Sequence, residues 1–185
     1  MSLKNLSVRT KIPKLLKNKL KNKKINQIYS RFEKSLNIKK SFIVGVSGGP
    51  DSLALAFLAK VYSLKKNIKC KFYIVDHKLR SNSTIEAKNV QKILKKCLIN
   101  SEILSWKGQK PNKNVQSLAR KKRLELLSSK CDQFKIGNIL LGHHQDDLIE
   151  NFFIRILRGS GLKGLVSLDK KSVIEKKNLI RPLLF

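Results

Sequence analysis

Acidic residues are scarce in this chain. Aspartate and glutamate number 12 against 41 lysines and arginines, which gives the 185 residues a formal net charge of +29. Such an imbalance predicts attraction to polyanions, with nucleic acid the first candidate. Lysine greatly outnumbers arginine, and a compositionally biased genome produces the same excess. The charge is therefore compatible with RNA or DNA binding but does not identify the partner.

Cysteines and long apolar runs are also few. Cys70, Cys97 and Cys131 lie far apart, and the absence of a Cys-x-x-Cys pair argues against a zinc ribbon, an iron–sulfur site or a thioredoxin-like motif. An odd, sparse count is typical of reduced packing residues in a cytoplasmic protein. The longest apolar run, residues 53–59, is too short to cross a bilayer, so we expect no membrane segment.

Short apolar segments alternate with helical patterns from residue 41 onward. The predicted strands are 42–46, 71–75, 102–106 and 138–142, and the predicted helices are 51–64, 84–97, 115–129 and 146–157. This alternation predicts one α/β domain, a doubly wound, mainly parallel sheet with helices on both faces. Ligands of such sheets bind beyond the carboxyl ends of the strands.

The two ends of the chain differ from this pattern. Residues 1–24 form a lysine-rich lead, interpreted as a solvated, disordered tail in preference to a frayed helix that meets RNA. The domain is expected over 25–185, beginning with a short amphipathic helix and closing with a short helix at 162–168 and an extended piece at 178–185. The chain stops on apolar residues, so we expect a domain truncated at its C-terminal end. A homodimer is one way to cover those residues.

A glycine-rich hexapeptide separates the first predicted strand from the helix that follows. It reads Ser47-Gly48-Gly49-Pro50-Asp51-Ser52, and we call it the glycine loop. Two glycines let backbone N–H groups approach an anion closely, and the helix N-terminus adds a favourable dipole. Ser47 and Ser52 offer hydroxyl donors, and Pro50 suits the first helical turn, where its missing N–H costs nothing. The loop predicts phosphate binding, with a ligand-free turn as the alternative.

The glycine loop departs from the two commoner phosphate motifs. No Lys-Ser/Thr pair follows its second glycine, as a Walker loop requires, and the three glycines of the dinucleotide fingerprint are not in place. The loop instead resembles the Ser-Gly-Gly-x-Asp-Ser PP-loop of the N-type ATP pyrophosphatases. Those enzymes cleave ATP between its α and β phosphates, so the resemblance implies ATP as the ligand.

A second polar group follows the fourth predicted strand. His143, Asp147 and Glu150 stand at i, i+4 and i+7, a spacing that directs them into one site. Carboxylates beside a triphosphate repel it unless a cation intervenes, and Mg²⁺ held by Asp51 and Asp147 resolves that repulsion. The alternative is that Asp147 only complements the helix dipole. The apolar stripe of the same helix, Ile149 included, is expected to face the sheet.

Arginines are the third candidate feature. Gln116, Arg120 and Arg123 share one face of the helix predicted over 115–129. A solvated face is the ordinary interpretation of such charges. A guanidinium close to ATP or RNA phosphates is the alternative, and Arg120 is the favoured residue for it.

Several motifs in the same order resemble the tRNA(Ile)-lysidine synthase family of N-type PP-loop enzymes. The resemblance covers roughly residues 25–185. Besides the glycine loop, it rests on Val75-Asp76-His77-Lys78-Leu79-Arg80, Gln116-Ser117-Leu118-Ala119-Arg120, His143-His144-Gln145-Asp146-Asp147, Arg158-Gly159-Ser160-Gly161-Leu162 and Arg181-Pro182-Leu183-Leu184.

This resemblance implies a fold of the adenine nucleotide alpha hydrolase type and a carbon–nitrogen ligase activity. ATP would adenylate the C2 oxygen of the wobble cytidine in an isoleucine tRNA with a CAU anticodon, and free L-lysine would then displace AMP to give lysidine. Asp51, His143, Asp147 and Glu150 would lie at the reaction centre with Mg²⁺, and Arg120 would stabilise charge. The family usually continues past the Arg-Pro-Leu motif with domains that grip the tRNA.

Two other interpretations stay open. One is another PP-loop tRNA-modifying enzyme, although a tRNA cytidine thiolase needs paired cysteines that this chain lacks. The other is a truncated PP-loop domain that binds ATP or RNA without completing turnover. A metal phosphohydrolase is disfavoured, because the run His143-His144-Gln145-Asp146 has no adjacent His-Asp pair.

Overall fold

The computed structural model describes residues 12–108, 114–143, 149 and 170–184. The helices within that part of the chain are α1 (Lys14–Leu20), α2 (Lys23–Ser35), α3 (Pro50–Lys66), α4 (Ser83–Lys96) and α5 (Val115–Phe134). The strands are β1 (Phe42–Val46), β2 (Cys70–Asp76), β3 (Ser101–Ser105), β4 (Asn138–Leu141), β5 (Lys171–Ile174) and β6 (Lys177–Ile180).

The strands form one sheet in the order β3-β2-β1-β4-β6-β5. The central strand β1 pairs in parallel with β2 and β4, so that Val44 stands between Phe72 and Leu140. Strands β3 and β6 extend the parallel arrangement outward, and β5 runs antiparallel to β6. Parallel neighbours need crossover connections, which α3, α4 and α5 supply. The predicted mainly parallel α/β fold is confirmed.

Helices cover both faces of the sheet because its central strand is apolar on both sides. Phe42 and Val44 face a core that includes residues of α2, α3 and α4, whereas Ile43 faces a second core beneath α5, around Leu127. All five residues of β1 are buried, as expected for a central parallel strand. The carboxyl ends of β1, β2 and β4 therefore share one edge of the sheet, which we call the carboxyl edge.

The structure corrects the prediction that the whole basic lead is a solvated tail. Residues 14–20 form α1, and the fully buried Leu16 docks this helix in the core beside α2 and α3. Asn22 then caps α2, because its side-chain oxygen accepts hydrogen bonds from the amides of Lys24 and Ile25. The partly buried Ile12 and Leu20 pack against the same core, so three apolar residues among many lysines fix this segment. Residues 1–11 lie outside the described part of the chain.

The C-terminal part of the sheet also differs from the prediction. Strand β5 was not predicted, and it joins β6 through a two-residue turn in which Glu175 and Lys176 have φ values of 49° and 62°. The predicted helices at 146–157 and 162–168 lie outside the described residues except for Ile149. Its side chain is 50% exposed, so the prediction that Ile149 faces the sheet is wrong.

Candidate functional site

The glycine loop connects β1 to α3 at the carboxyl edge. Gly48 has φ of +93°, a backbone conformation that residues with a Cβ atom rarely adopt, and Gly49 precedes the first turn of α3. Pro50 occupies that first turn, as predicted. A Cβ atom placed at Gly49 would meet nothing within 4 Å, so this side of the loop is open. The loop thus directs a helix N-terminus toward open space, which suits an anion.

The hydroxyl of Ser52 holds the loop in this shape. Its Oγ accepts a hydrogen bond from the amide of Gly48 at 3.0 Å and donates one to the carbonyl oxygen of Gly49 at 2.8 Å. The residue is only 4% exposed. The hydroxyl that we expected to face a ligand is therefore engaged within the loop. Ser47, by contrast, is exposed.

Strand β4 ends against the first turn of α3. A Cβ atom placed at Gly142 would lie 2.9 Å from the Cα atom and 3.0 Å from the amide nitrogen of Ser52, and neither backbone atom moves aside at low cost. Glycine at this position allows the strand end and the loop to come together. The contact brings the next residue, the partly buried His143, to the glycine loop.

A cavity of about 240 Å³ lies beside the glycine loop, between the ends of β1 and β2 and helix α4. Its lining residues are Ser47, Ile74, Val75, Asp76, His77, Leu79, Arg80, Ser83, Glu86, Ala87 and Val90. The sequence analysis used residues 75–80 for the family resemblance but missed the contribution of α4. That contribution depends on the packing of α4 over the loop, where a Cβ atom at Gly48 would meet the Val90 side chain at 2.7 Å.

Asp76 fixes the turn that forms the floor of this cavity. One carboxylate oxygen accepts the amide hydrogen of Lys78 at 2.9 Å, and the other accepts the hydroxyl hydrogen of Thr84 at 2.7 Å. Burial of this side chain raises the pKa of Asp76, but the hydrogen bonds from Thr84, Lys78 and Ser83 outweigh it and hold the pKa below its ordinary value. The ionised carboxylate of Asp76 therefore fixes the conformation of the turn between β2 and α4.

The predicted arginine face lies on the other side of the carboxyl edge. Arg120 is exposed near the start of α5, and Arg123 is partly buried one turn later. Burial, and then the positive charge of Arg120, lower the pKa of Arg123. Burial and the charge of Arg123 also lower the pKa of His77, although Asp76 opposes the shift. Arg123 therefore lies near both Arg120 and His77, the residue that follows β2.

Only part of the predicted metal site can be placed. Asp51 is partly buried in the first turn of α3, and carboxylate oxygens are suitable ligands for Mg²⁺. Asp147 and Glu150 lie outside the described residues, so their roles stay predictions. Within the described ranges, no group of three His, Cys, Asp or Glu residues could hold a metal ion.

The described helices contain none that is long and apolar enough to cross a membrane, as expected. The three cysteines all lie toward the amino ends of the strands, at the start of β2, the end of α4 and the last third of α5. Burial raises the pKa of Cys70 and raises that of Cys131 to about 11. Both therefore carry protonated thiols at neutral pH, away from the carboxyl edge.

The sequence profile of the PP-loop domain matches residues 17–185. The chain belongs to the PP-loop domain family. Curated relatives include the tRNA(Ile)-lysidine synthases of Orientia tsutsugamushi, 41% identical over 140 residues, and of Rickettsia akari, 36% identical over 162 residues. The aligned parts cover 76% and 84% of this chain but 32% and 37% of the relatives. The PP-loop chain thus spans about a third of their length, and the resemblance drawn from the motifs is confirmed.

A solved structure shows the same fold. The U34-tRNA thiolase NcsA from Methanococcus maripaludis, with its [4Fe-4S] cluster, superposes with a TM-score of 0.72 over 86% of this chain and 59% of the thiolase. The two sequences are 22% identical, so the likeness concerns the fold alone.

Proposed function

We propose that this PP-loop domain catalyses the formation of lysidine in an isoleucine tRNA with a CAU anticodon. The observation that carries the proposal is the contact of Gly142 with Ser52, which joins the strand end bearing His143 to the glycine loop. The names of the curated relatives supply the reaction class. The protonated thiols, remote from this edge, favour amine chemistry over sulfur transfer.

ATP is the proposed nucleotide, with its phosphates at the glycine loop. Gly48 and Gly49 leave room for an oxyanion, and the N-terminus of α3 favours its negative charge. The adenosine then occupies the neighbouring cavity, because Ser47 belongs to both the loop and the cavity lining. Mg²⁺ held by Asp51 and Asp147 would neutralise phosphate charge.

Two bond exchanges account for the reaction. The C2 oxygen of the cytidine bonds to the α-phosphorus of ATP, and the bond to the β-phosphate oxygen breaks to release pyrophosphate. A lysine amine then bonds to C2, and AMP leaves with the former C2 oxygen. His143 and Glu150 are proposed to orient or deprotonate the attacking amine, and Arg120 to stabilise phosphate charge.

The tRNA partner is supported by a basic surface at the start of the domain. Six exposed lysines project from α1 and the first turn of α2, and we call them the lysine face: Lys14, Lys17, Lys19, Lys21, Lys23 and Lys24. No acidic residue occurs between residues 12 and 32, and Glu33 already pairs with Lys65 and Lys66. Such a surface suits a phosphate backbone.

One assay tests the proposed function. The protein is incubated with Mg·ATP, labelled lysine and transcripts bearing a CAU or a CAA anticodon, and pyrophosphate and lysine incorporation are measured. We expect pyrophosphate release only with the CAU transcript, and incorporation that needs lysine as well. Asp51→Ala should abolish turnover and leave salt-sensitive RNA binding largely intact. ATP binding without turnover would instead support a binding domain, and full activity of Asp51→Ala would refute the site assignment.

A further inference from the structure

The single tryptophan of the chain, Trp106, follows β3 at the carboxyl edge. Its amide donates a hydrogen bond to the carbonyl oxygen of Asp76 at 2.9 Å, which extends the pairing of β3 with β2 by one residue. Side chains alternate between the two faces of a strand. Ile103 packs against the core that includes α3 and α4, and Leu104 lies in the core beneath α5. Trp106 therefore lies on the α5 side of the sheet.

The indole of Trp106 is held in place without being covered. It is partly exposed, and its N–H reaches solvent without a hydrogen-bond partner among the described residues. Gly108 lies against the five-membered ring, because a Cβ atom placed there would come within 2.8 Å of Nε1 and 3.5 Å of Cε2. The indole thus offers an accessible surface and an N–H donor in a fixed orientation, which reduces the entropy lost when a ligand binds.

The residues around this indole are basic. Lys107, Lys78 and Arg80 are exposed, and none of them pairs with a carboxylate in the described part of the chain. The carboxylate of Asp76 accepts the amide hydrogen of Lys78, and the carbonyl of the same residue accepts that of Trp106. One aspartate therefore brings the indole and a cationic residue together. Aromatic rings beside such cations bind single-stranded nucleic acid, since bases stack on the ring and the cations neutralise phosphates.

We propose that Trp106 is a stacking platform for a nucleobase of the RNA substrate, with Lys107 and Lys78 at the adjoining phosphates. This inference rests on the proposed function, and the base belongs to the single-stranded anticodon loop, next to the reacting cytidine. The base of ATP fits less well, because the cavity proposed for adenosine lies on the α4 side of the sheet. A double-stranded stem also fits less well, since its bases already stack on one another.

The test uses the fluorescence of the one tryptophan in the chain, which reports on this indole alone. The full chain is titrated with an RNA stem–loop that bears the CAU anticodon. The matched probe is the same stem–loop with abasic sites in place of the bases that flank the reacting cytidine, so that both probes carry the same phosphates. We expect saturable quenching with the intact loop. The abasic loop should bind about five- to a hundredfold more weakly and cause little quenching.

Substitutions separate stacking from charge and from folding. Trp106→Leu should weaken binding of the intact loop by a similar factor without changing its salt dependence, because no phosphate contact is lost, and Trp106→Phe should restore most of the affinity. Gly108→Ala keeps the indole but should turn it and reduce the quenching. Phe134→Leu is the control, because it removes a ring that is 38% exposed at the far end of α5, and it should leave RNA binding unchanged. Calorimetric affinity for Mg·ATP should stay at the wild-type value in all four variants.

Several outcomes would overturn the stacking platform. They are equal affinity for the intact and abasic loops, equal quenching by heparin, which has charge but no bases, or quenching by Mg·ATP or by free lysine. If Trp106→Leu unfolds, the two stem–loops still decide the matter in the wild-type chain. Because binding is read without turnover, quenching by the CAU loop in a protein that makes no lysidine would refute the proposed function and not the platform. Lysidine formation with an unquenched tryptophan would refute the platform alone.

Discussion

Adding one methyl group at Gly142 should separate the end of β4 from the glycine loop. The new Cβ atom would lie 2.9 Å from the Ser52 Cα atom, and ordinary contacts begin at 3.4 Å, so the two backbones must part by about 0.5 Å. Overpacking of this kind costs about 1–3 kcal/mol. The same displacement moves the first turn of α3, whose N–H groups are proposed to hold the ATP phosphates. Gly142→Ala should therefore lose both stability and ATP affinity.

Gly137→Ala is the matched control, because it precedes the same strand at its other end. A Cβ atom there would meet nothing within 4 Å, so the free energy of unfolding should change by no more than about 0.5 kcal/mol. Urea denaturation and calorimetric titration with Mg·ATP measure the two properties in both variants. If Gly142→Ala matches Gly137→Ala in stability and affinity, the close contact between strand and loop does not shape the site.

Three further substitutions test the structure around the site. Ser52→Ala removes both loop hydrogen bonds and leaves the partly buried Gly48 amide without its acceptor, so urea denaturation should show a loss of about 1–3 kcal/mol. An unchanged midpoint would contradict the role of Ser52 in holding the loop. The pKa of Asp76 is lowered in the folded protein, so its carboxylate stabilises the fold above the ordinary aspartate pKa, and this stabilisation is lost as pH falls through the folded pKa. Asp76→Asn should therefore make the free energy of unfolding depend less steeply on pH in the acid range, and an unchanged pH dependence would refute that role. Leu16→Ala should cost about 2–5 kcal/mol in the same denaturation assay if α1 is docked, and almost nothing if it is a solvated tail.

The sheet was predictable where one residue type dominates a segment. Strand β1 is apolar at every position, and such a run predicts a central strand that is buried on both faces, as the structure shows. Strand β5 carries no such signal, since Val173 is 70% exposed and the turn at Glu175 and Lys176 contains no glycine. Helix α1 was missed because it docks through few apolar residues, the buried Leu16 and the partly buried Ile12 and Leu20, among many lysines.

The glycine loop could be recognised in the sequence, whereas the surroundings of the candidate site could not. The loop is a candidate phosphate site on sequence grounds because its motif is made of adjacent residues. The cavity beneath α4 and the contact of Gly142 with Ser52 join segments far apart in the sequence, and no local pattern records them. The nearness of His77 to Arg123, whose charge lowers the pKa of the imidazole, is non-local in the same way.

The lysine face offers a separate check on the RNA partner. Replacing Lys14 and Lys17 with glutamine should weaken tRNA binding and flatten its dependence on salt, by a slope of about 0.7–0.9 for each phosphate that is no longer neutralised. Filter binding between low and moderate salt measures both effects. Glutamine at Lys65 and Lys66, which pair with Glu33, is the control and should change the slope less. Equal effects of the two sets would mean that RNA binding follows overall charge.

Calorimetric titration of Mg·ATP into the wild-type chain and into Gly48→Ala tests the central claim most directly. Gly48 has φ of +93°, and a Cβ atom there would lie 2.7 Å from the Val90 side chain, so alanine distorts the glycine loop. We predict one binding site in the wild-type chain and affinity at least tenfold weaker in a Gly48→Ala protein whose circular dichroism is unchanged. Absence of binding heat in the wild type, or equal affinity in the two proteins, would contradict the assignment of the glycine loop as the nucleotide site.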